Sequence, residues 1–345
     1  MKEGTLYMAK KVAINGFGRI GRLAFRKLWD NQEVEIVAIN DLTDPKTLAY
    51  LLEHDSAHGW FHKGEISAKD GAIVVNGKEV KIFAEKDAAN LKWSALNVDL
   101  VIESTGFYTD KEKAKAHLTA GAKKVLISAP AKGDLKTIVY GVNEKDITAE
   151  DDIISAASCT TNCLTPLAFV LNEKFGIKQG LMTTVHAVTN DQRLLDLPHS
   201  DLRRGRAAAW NIIPTTSGAA VAVGKALPEL NGRMDGFALR VPVITGSITD
   251  LTVELNKNTS VEEINAAIKE AVNSNKALGE AMSYNEEQIV SADIIGESHG
   301  SIFDATLTKV IENDGSQLVK VFAWYDNESS YTSQFVRTAL HVLSL

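Results

Sequence analysis

A glycine-rich turn near the start of the chain constrains the fold more than any other feature. It reads Gly16-Phe17-Gly18-Arg19-Ile20-Gly21, and it follows the apolar run Val12 to Ile14. Glycines at these spacings permit a tight turn, close approach of the backbone to a pyrophosphate, and close packing of a helix on a strand. A helix that begins near Arg19 would direct its positive N-terminal end at the phosphates. The turn therefore predicts the first strand–helix unit of a dinucleotide-binding sheet.

Asp41 strengthens this interpretation and indicates which dinucleotide is bound. A glycine pattern alone is a weak signal, because an ordinary strand-to-helix turn has the same composition. Asp41, however, stands at the end of the second predicted strand. A carboxylate at that place accepts hydrogen bonds from a ribose 2′-hydroxyl and repels a 2′-phosphate. We therefore expect NAD as the cofactor, with NADP as the less favoured alternative.

The first half of the chain alternates short runs rich in valine and isoleucine with longer helical patterns, which is typical of parallel βαβ units. It predicts a doubly wound, Rossmann-type α/β domain. Helices are expected at Ile20 to Asp30, Pro45 to Leu52 and Asp110 to Ala120. Strands are expected at Lys11 to Asn15, Glu35 to Asn40, Leu100 to Ser104, Lys124 to Ser128, Thr137 to Val142 and Ile153 to Ala156.

After Cys159 the pattern changes, because predicted strands follow one another with fewer helices between them. This order favours a second, α+β domain that is built on a mainly antiparallel sheet. We expect its strands at Leu181 to His186, Phe237 to Val241, Ser247 to Leu255 and Leu318 to Trp324. Helices are expected at Thr216 to Leu227, at Val261 to Ser274 after the Ser260–Glu263 capping pair, and at Ser333 to Leu343.

Composition agrees with two domains and disfavours some classes of partner. The chain has 345 residues, of which 45% are hydrophobic, enough for two packed cores. A net charge of −7 and a pI of about 5.7 argue against nucleic acid or an anionic membrane as the main partner. No run approaches the ~20 apolar residues that cross a bilayer, and the N-terminus lacks a signal-peptide core, so we expect a cytoplasmic protein. Residues 1–7 receive no role.

The segment Ser158-Cys159-Thr160-Thr161-Asn162-Cys163 and the later His186 form the second informative constellation. Cys159 should lie at a helix N-terminus, where the helix dipole lowers the pKa of a thiol. A nearby His186 would lower it further through a thiolate–imidazolium pair. Taken singly, a cysteine is more often a small buried apolar residue and a histidine more often a structural group. We assign Cys163, one helical turn farther on, to packing.

These motifs resemble the phosphorylating, NAD-dependent glyceraldehyde-3-phosphate dehydrogenase family. The resemblance rests on Asn15-Gly-Phe-Gly-Arg-Ile-Gly-Arg22, on Ser158-Cys-Thr-Thr-Asn-Cys163 and on Trp324-Tyr-Asp-Asn-Glu328, and it extends over nearly the whole chain. It implies that Cys159 attacks the aldehyde of glyceraldehyde 3-phosphate and that His186 serves as general base. Inorganic phosphate would then cleave the thioester and give 1,3-bisphosphoglycerate.

The resemblance also assigns binding residues. For the cofactor it adds further residues to the glycine turn and Asp41, namely Thr105, Gly106, Ser128 and Asn327, the last of which would hold the nicotinamide carboxamide. For the substrate phosphate it implies Thr189, Asp191 and Arg240. For the attacking phosphate or the loop beside it, it implies Ser158, Thr160, Arg204, Ser217 and Gly218. No metal site is expected.

The resemblance further implies that the end of the chain returns to the first domain. The expected domains are therefore residues 1–158 completed by a C-terminal helix at 327–345, and a catalytic domain at 159–326. Because the family is tetrameric, a homotetramer is expected. One departure stands out, since Ser329-Ser330 replaces the usual Trp-Gly pair after Glu328. This departure puts the local packing beside Asn327 in doubt.

Two alternatives stay open at this point. A paralogue that oxidises erythrose 4-phosphate would hydrolyse its thioester with water, and only a comparison of the two aldehydes separates it from the first reading. A secondary binding role at a cell surface or with RNA belongs to a different class. The sequence offers neither an export signal nor a basic stripe for it.

Overall fold

The computed structural model describes residues 9–345, which form two compact units. The first unit comprises residues up to Thr137, Lys145–Ala156 and Phe335–Leu345, and the second comprises Ile138–Glu144 and Ala157–Gln334. The domain boundaries expected from the sequence, at residues 158 and 327, remain a prediction. The prediction for residues 1–7 falls outside the residues that the structure describes. Within residues 9–345, no helix has the length and apolar character needed to span a membrane.

The described residues of the first unit form one eight-stranded sheet with the order β3-β4-β5-β2-β1-β6-β7-β8. The strands β2, β1, β6, β7 and β8 run parallel, and β5 is parallel to β2. The strand bounds are β1 Lys10–Asn15, β2 Val34–Asn40, β3 Ile66–Lys69, β4 Ala72–Val75, β5 Lys78–Phe83, β6 Leu100–Glu103, β7 Lys124–Ile127 and β8 Ile153–Ser155. The helices are α1 Arg19–Leu28, α2 Pro45–Glu53, α3 Trp93–Leu96 and α4 Lys111–Thr119.

Strand β1 marks the place where this sheet reverses its order, since β2 lies on one side of it and β6 on the other. Ligands of doubly wound sheets bind at such a switch point, beyond the carboxyl ends of the strands. The turn at residues 16–18 leaves β1 there and leads into α1, whose apolar face (Leu23, Ala24, Phe25 and Leu28) is buried. The expected doubly wound class is thereby confirmed.

Two parts of the first half differ from the prediction. The stretch Thr137 to Val142 is not a strand, because only Thr137 pairs, in a single bridge with Ser155. Beyond it, Gly141 adopts a positive φ of 84° and the backbone closes a turn. The antiparallel strands β3, β4 and β5 were not predicted. The Asn76-Gly77 pair between β4 and β5, with φ of 47° and 76°, is the sequence signal that would have indicated this hairpin.

The second unit contains a mainly antiparallel sheet with the order β10-β11-β9-β12-β16-β14-β13, and β15 pairs with β16. Two of its pairs are parallel, β11 with β9 and β13 with β14. The strand bounds are β9 Ile177–His186, β10 Ile213–Thr216, β11 Met234–Arg240, β12 Ser247–Leu255, β13 Met282–Asn285, β14 Ser301–Asp304, β15 Lys309–Asn313 and β16 Ser316–Tyr325. The helices are α5 Cys159–Phe175, α6 Ala219–Ala226, α7 Val261–Ser274, α8 Lys276–Ala281 and α9 Ser329–Ser344, within which the division between the units falls.

Helices α5, α6 and α7 bury their apolar faces against the inner face of this sheet. Leu167 and Leu171 of α5 join Leu251 of β12, Val321 of β16 and Ile268 of α7 in one core of buried side chains. Helix α7 has the predicted bounds, and both hydrogen bonds of its capping box are present. Because α5 packs across the sheet in this way, its first residue, Cys159, is held rigidly in the second unit.

Replacing Gly21 by Ala should destabilise the first unit, whereas replacing Gly18 should not. A Cβ on Gly21 would lie 2.1 Å from the carbonyl oxygen of Gly16, while a Cβ on Gly18 would meet no atom within 4 Å. Gly18 also has a φ of −72°, which alanine adopts readily. We expect Gly21→Ala to lower the free energy of unfolding by about 1–3 kcal/mol, measured by urea denaturation. Equal losses in the two variants would contradict this account of the turn.

Candidate active site

Cys159 and His186 face each other in the second unit, at the start of a helix and the end of a strand. The Cys159 Sγ lies 3.4 Å from Nε2 of His186. Ser158 caps α5, since its Oγ accepts a hydrogen bond from the Thr161 backbone N–H at 3.1 Å. His186 is the last residue of β9. The chain therefore places a thiol and an imidazole within bonding distance on two rigid elements.

The other nitrogen of His186 contacts the backbone. Its Nδ1 lies 2.7 Å from the carbonyl oxygen of Ala187. Because a carbonyl oxygen only accepts, we place the ring proton on Nδ1, which turns the lone pair of Nε2 toward the thiol. Arg240 donates to the same carbonyl at 3.2 Å, and the close approach of its Nη1 to Nδ1 is not a hydrogen bond in this tautomer, because both groups are donors. The imidazole is thus oriented as a proton acceptor for Cys159.

The electrostatics of this pair correct one expectation from the sequence. Burial raises the pKa of the Cys159 thiol, and the positive charge of Arg240 only partly opposes that effect. Burial, followed by the charge of Arg240, lowers the pKa of His186 to about 3. The predicted thiolate–imidazolium pair is therefore not the form that this structure favours. Both shifts favour the neutral form of each group, because burial removes the water that would solvate its charge.

Three buried hydroxyl groups lie next to the Cys159–His186 pair, and the sequence analysis did not predict the hydrogen bonds that join them. The Tyr325 hydroxyl lies 2.8 Å from Oγ1 of Thr160 and 2.7 Å from Oγ1 of Thr184. The ring of His186 packs edge-on against Tyr325, with centroids 5.7 Å apart. Burial raises the pKa of Tyr325 well above its ordinary value, so it remains a neutral phenol. Tyr325 belongs to the Trp-Tyr-Asp-Asn-Glu motif, in which only Asn327 had received a role.

The candidate phosphate residues form two groups. Arg240 ends β11 and pairs in register with His186 on the parallel neighbour β9. Arg204 donates to Asp191 and to Thr215, each at 2.6 Å. Among the residues that the structure describes, no hydrogen bond joins Arg204 or Asp191 to the Cys159–His186 pair. Asp191 thus orients Arg204 rather than Arg240.

The remaining phosphate candidates lie at loop and helix starts. At the start of α5, the Ser158 hydroxyl hydrogen-bonds to the Thr161 hydroxyl, and the Thr160 hydroxyl hydrogen-bonds to that of Tyr325. The Thr189 backbone N–H donates to Gln192 Oε1 at 3.1 Å. Ser217 and Gly218 precede α6, where Gly218 is the N-cap residue without a capping side chain. The Ala219 N–H donates to the Ser217 hydroxyl at 3.3 Å, and the positive end of the α6 dipole lies at the same place.

In the first unit, the candidate cofactor residues follow the carboxyl ends of neighbouring parallel strands. The glycine turn follows β1, Asp41 follows β2, Thr105 and Gly106 follow β6, and Ser128 follows β7. Asp41 is fixed in place, because its carboxylate accepts from the Phe17 and Thr43 backbone N–H groups at 2.8 and 3.0 Å. Gly16 requires its positive φ of 89°, and an added Cβ would lie 2.7 Å from the Thr105 nitrogen.

Glu103 is a supporting residue that sequence reasoning did not assign. It is buried at the end of β6, and its Oε1 accepts from the Thr105 N–H at 2.8 Å and from the Thr105 hydroxyl at 2.5 Å. Its Oε2 contacts Asn15 at 2.5 Å and His117 at 2.9 Å. The Trp93 ring N–H donates to Nδ1 of His117, so the His117 proton lies on Nε2 and points at Glu103.

The glycine turn fits a dinucleotide pyrophosphate. Helix α1 begins after Gly18 without a capping side chain, and the positive end of its dipole at this place suits an anion. Open space surrounds Gly18, which permits close approach of a phosphate. Arg19 is held by Asp55, at 2.5 and 3.1 Å, and its backbone N–H lies in the same first turn as that of Ile20. Between residues 9 and 345, no group of three or more His, Cys, Asp or Glu side chains is arranged to hold a metal ion.

Comparison with known proteins identifies the family. The NAD-binding domain of glyceraldehyde 3-phosphate dehydrogenase matches residues 10–111, and the C-terminal domain of that enzyme matches residues 158–327. The chain belongs to the glyceraldehyde-3-phosphate dehydrogenase family. It is 61% identical over 330 residues to the enzyme of this name from Clostridium pasteurianum, with 95% of this chain and 97% of the relative covered. It is 60% identical to that of Clostridium acetobutylicum over the same shares, and 55% identical to that of Streptococcus pyogenes serotype M3 over 96% and 97%.

Membership of this family makes the chain an NAD-dependent enzyme and explains the two kinds of site found in it. The part that matches the NAD-binding domain contains the glycine turn, Asp41, Thr105 and Gly106. The part that matches the C-terminal domain contains Cys159, His186 and the candidate phosphate residues. Ser128 lies between the two matched ranges.

Hydrogen bonds around Asp326 hold the segment Ser329-Ser330 in place. The Ser330 hydroxyl accepts from the Asp326 N–H at 3.0 Å and donates to the Glu297 carbonyl at 3.2 Å. Asp326 in turn accepts from the backbone N–H groups of Glu328 and Ser329, at 2.9 and 3.0 Å. Both serines are buried. The start of α9 beside Asn327 is therefore ordered without the tryptophan.

The lowered pKa of His186 makes a prediction about stability and pH. Between about pH 3 and the ordinary value of about 6.5, the unfolded chain binds a proton that folded His186 does not. The free energy of unfolding is therefore highest above about pH 6.5. It decreases as the pH falls below that value, by at most about 1.4 kcal/mol per pH unit from this group. Urea unfolding at pH 5, 6 and 7 should show a shallower pH dependence for His186→Asn than for the native chain. Identical slopes would show that His186 is not held neutral.

Proposed function

We propose that the chain catalyses the phosphorylating oxidation of glyceraldehyde 3-phosphate to 1,3-bisphosphoglycerate with NAD and inorganic phosphate, as its relatives' name implies. The observation that carries this proposal is the 3.4 Å approach of the Cys159 thiol to the lone pair of His186. Such a pair serves a covalent route through a thioester. In the proposed reaction, Cys159 is the nucleophile and His186 is the general base.

The first step joins the sulfur to the aldehyde carbon. His186 Nε2 takes the thiol proton as the Sγ–C bond forms and then gives it to the carbonyl oxygen, which becomes the hydroxyl of a hemithioacetal. The Cys159 backbone N–H, at the start of α5, and His186 are the donors that face the developing oxyanion. A neutral imidazole suits this role, because only the unprotonated ring can accept a proton; a positioned base contributes about 10²–10⁴-fold in rate.

The second half of the reaction exchanges the thioester for an acyl phosphate. NAD, when bound, accepts the hydride that the hemithioacetal carbon gives up. His186 takes the hydroxyl proton in the same step, which leaves a thioester on Cys159. An oxygen of inorganic phosphate then attacks the thioester carbonyl, and the C–S bond breaks to release the product and restore Cys159. The proton carried by His186 returns to the leaving sulfur.

Two cationic side chains support the recognition of phosphate. Arg240 lies beside His186 in the sheet, and a planar guanidinium can bind two phosphate oxygens at once. We assign it to the substrate phosphate together with Thr189, with Asp191 nearby as the residue that holds Arg204. We assign Arg204, Ser217, Gly218 and the start of α5 at Ser158 and Thr160 to the attacking phosphate. The N-terminal end of α6 after Gly218, where the helix dipole is positive, supports an anion at that place.

NADH formation tests this function directly. The native chain should form NADH from glyceraldehyde 3-phosphate only when phosphate is present, and Cys159→Ser should reduce the rate at least about 10³-fold, because a hydroxyl is a far weaker nucleophile at neutral pH. Cys163→Ser is the matched control. Its sulfur is buried against Thr249 and Ser301, and burial raises its pKa to about 12, so this variant should keep its activity.

Two results would overturn the proposal. Full activity of Cys159→Ser would exclude the thioester route. Phosphate-independent NADH formation with faster turnover of erythrose 4-phosphate would instead assign the chain to the hydrolytic alternative.

We also propose that the chain acts as a homotetramer in the cytoplasm. Several apolar side chains between residues 194 and 212 are exposed in the single chain, among them Leu202 and Trp210, each 86% exposed. Such a cluster is typical of an interaction surface. Cys159 and Cys163 are both free thiols, which suits a reducing compartment.

Sedimentation tests the assembly. The native chain should sediment as a tetramer at micromolar concentration. Leu202→Asp should shift it to smaller species without loss of secondary structure, because a charge on an exposed position costs little in the single chain but much in an interface. A native chain that sediments as a monomer would contradict the proposal.

A further inference from the structure

Ser247 occupies a junction in the second unit. It is the first residue of β12, which lies between β9 and β16 in the sheet. On one side the neighbouring strand ends at His186, and on the other Ser247 pairs in register with Tyr325, two residues before Asn327. The sheet order therefore places one buried hydroxyl between the general base and the residue that the family resemblance assigns to the nicotinamide.

The hydrogen bonds of Ser247 run in one direction. Its Oγ accepts from the Ala187 backbone N–H at 3.0 Å and lies 2.9 Å from Oδ1 of Asn327. A hydroxyl has one hydrogen, and a backbone N–H can only donate. The Ser247 hydrogen therefore points at Asn327. The side chain is 1% exposed, so water does not compete for it.

These bonds determine which way the Asn327 amide faces. Its Oδ1 also accepts from the Gly246 N–H at 3.1 Å, so exchanging the oxygen and nitrogen would set two donors against each other. Thr245 lies nearby, but its hydroxyl is 2.6 Å from Asp326 Oδ1 and 3.3 Å from Asn327, so its hydrogen goes to Asp326. The amide NH₂ of Asn327 is the group that remains for a ligand.

We propose that Ser247 is a positioning residue for the nicotinamide end of the cofactor. By donating to Asn327 Oδ1, it presents the Asn327 NH₂ to a carbonyl acceptor such as the carboxamide oxygen of nicotinamide. The same hydroxyl accepts from Ala187, whose carbonyl holds Nδ1 of His186. One side chain thus helps to position both Asn327, the donor to the carboxamide, and His186, the general base. The inference rests on the proposed function, because it takes the role of Asn327 from it.

Calorimetric binding to the full-length chain separates this role from a merely structural one. NAD and ADP-ribose share every group except the nicotinamide. Ser247→Ala should weaken NAD binding about fivefold, the factor that corresponds to one net hydrogen bond of about 1 kcal/mol. ADP-ribose should bind the variant within twofold of its affinity for the native chain. Activity should show the same pattern, with a raised KM for NAD.

Thr249→Val is the matched control. Thr249 lies two residues farther along β12, is fully buried, and donates to the Ala323 carbonyl at 3.2 Å. Removing its hydroxyl deletes a comparable hydrogen bond in the same strand, yet the affinities for both ligands should stay unchanged. If Ser247→Ala does not fold, Ser247→Cys replaces the strong donor with a weak one and should show the same selective loss, smaller in size.

Each outcome decides the inference. Equal weakening of NAD and ADP-ribose, or no weakening of either, in a folded Ser247 variant overturns it while the proposed function stands. If the native chain binds NAD no more tightly than ADP-ribose, the role proposed for Asn327 in binding the nicotinamide is rejected as well. Failure of the native chain to form NADH from glyceraldehyde 3-phosphate is a separate result, and it rejects the proposed function itself.

Discussion

The parallel pairing of β9 with β11, inside a mainly antiparallel sheet, is the constraint on which the catalytic unit depends. It makes both strands end at the same edge, so that His186 and Arg240 stand side by side. Strand β12 is antiparallel to β9 and begins at that edge with Ser247, and β16 is antiparallel to β12 and therefore ends there with Tyr325. Helix α5 then crosses the sheet with its first residue, Cys159, above His186. Reversal of any one strand would remove its residue from the site.

Burial around this edge decides the protonation of the pair. A sequence pattern shows that Cys159 begins a helix and that a histidine is available, and both features favour a thiolate. It does not show that protein atoms replace water around both groups. In the folded chain that loss of solvent outweighs the nearby charge of Arg240 at the thiol. Burial therefore favours a neutral thiol next to a neutral imidazole that can accept its proton.

The sequence predicted the parts of this protein that depend on local pattern and on motifs. Strands of the parallel sheet are buried on both faces and appear as continuous valine and isoleucine runs, so most of them were found within one or two residues. The same criterion failed at Thr137 to Val142, where an apolar run turns at Gly141. It also missed β3, which is largely exposed and polar. Ser247, Tyr325 and Glu103 act through partners far away in sequence, and nothing in their immediate neighbours reveals those partners.

The course of the chain through its two units affects how the protein is made. The first unit includes Lys145–Ala156 and Phe335–Leu345, and the second includes Ile138–Glu144. No single cut in the chain separates one complete unit from the other. During synthesis, the first unit has all of its residues only after Phe335–Leu345 has been made, although most of its residues are made before those of the second unit. A chain released without the last turns of α9 would thus lack part of the first unit, although the other residues of that unit were made early in synthesis.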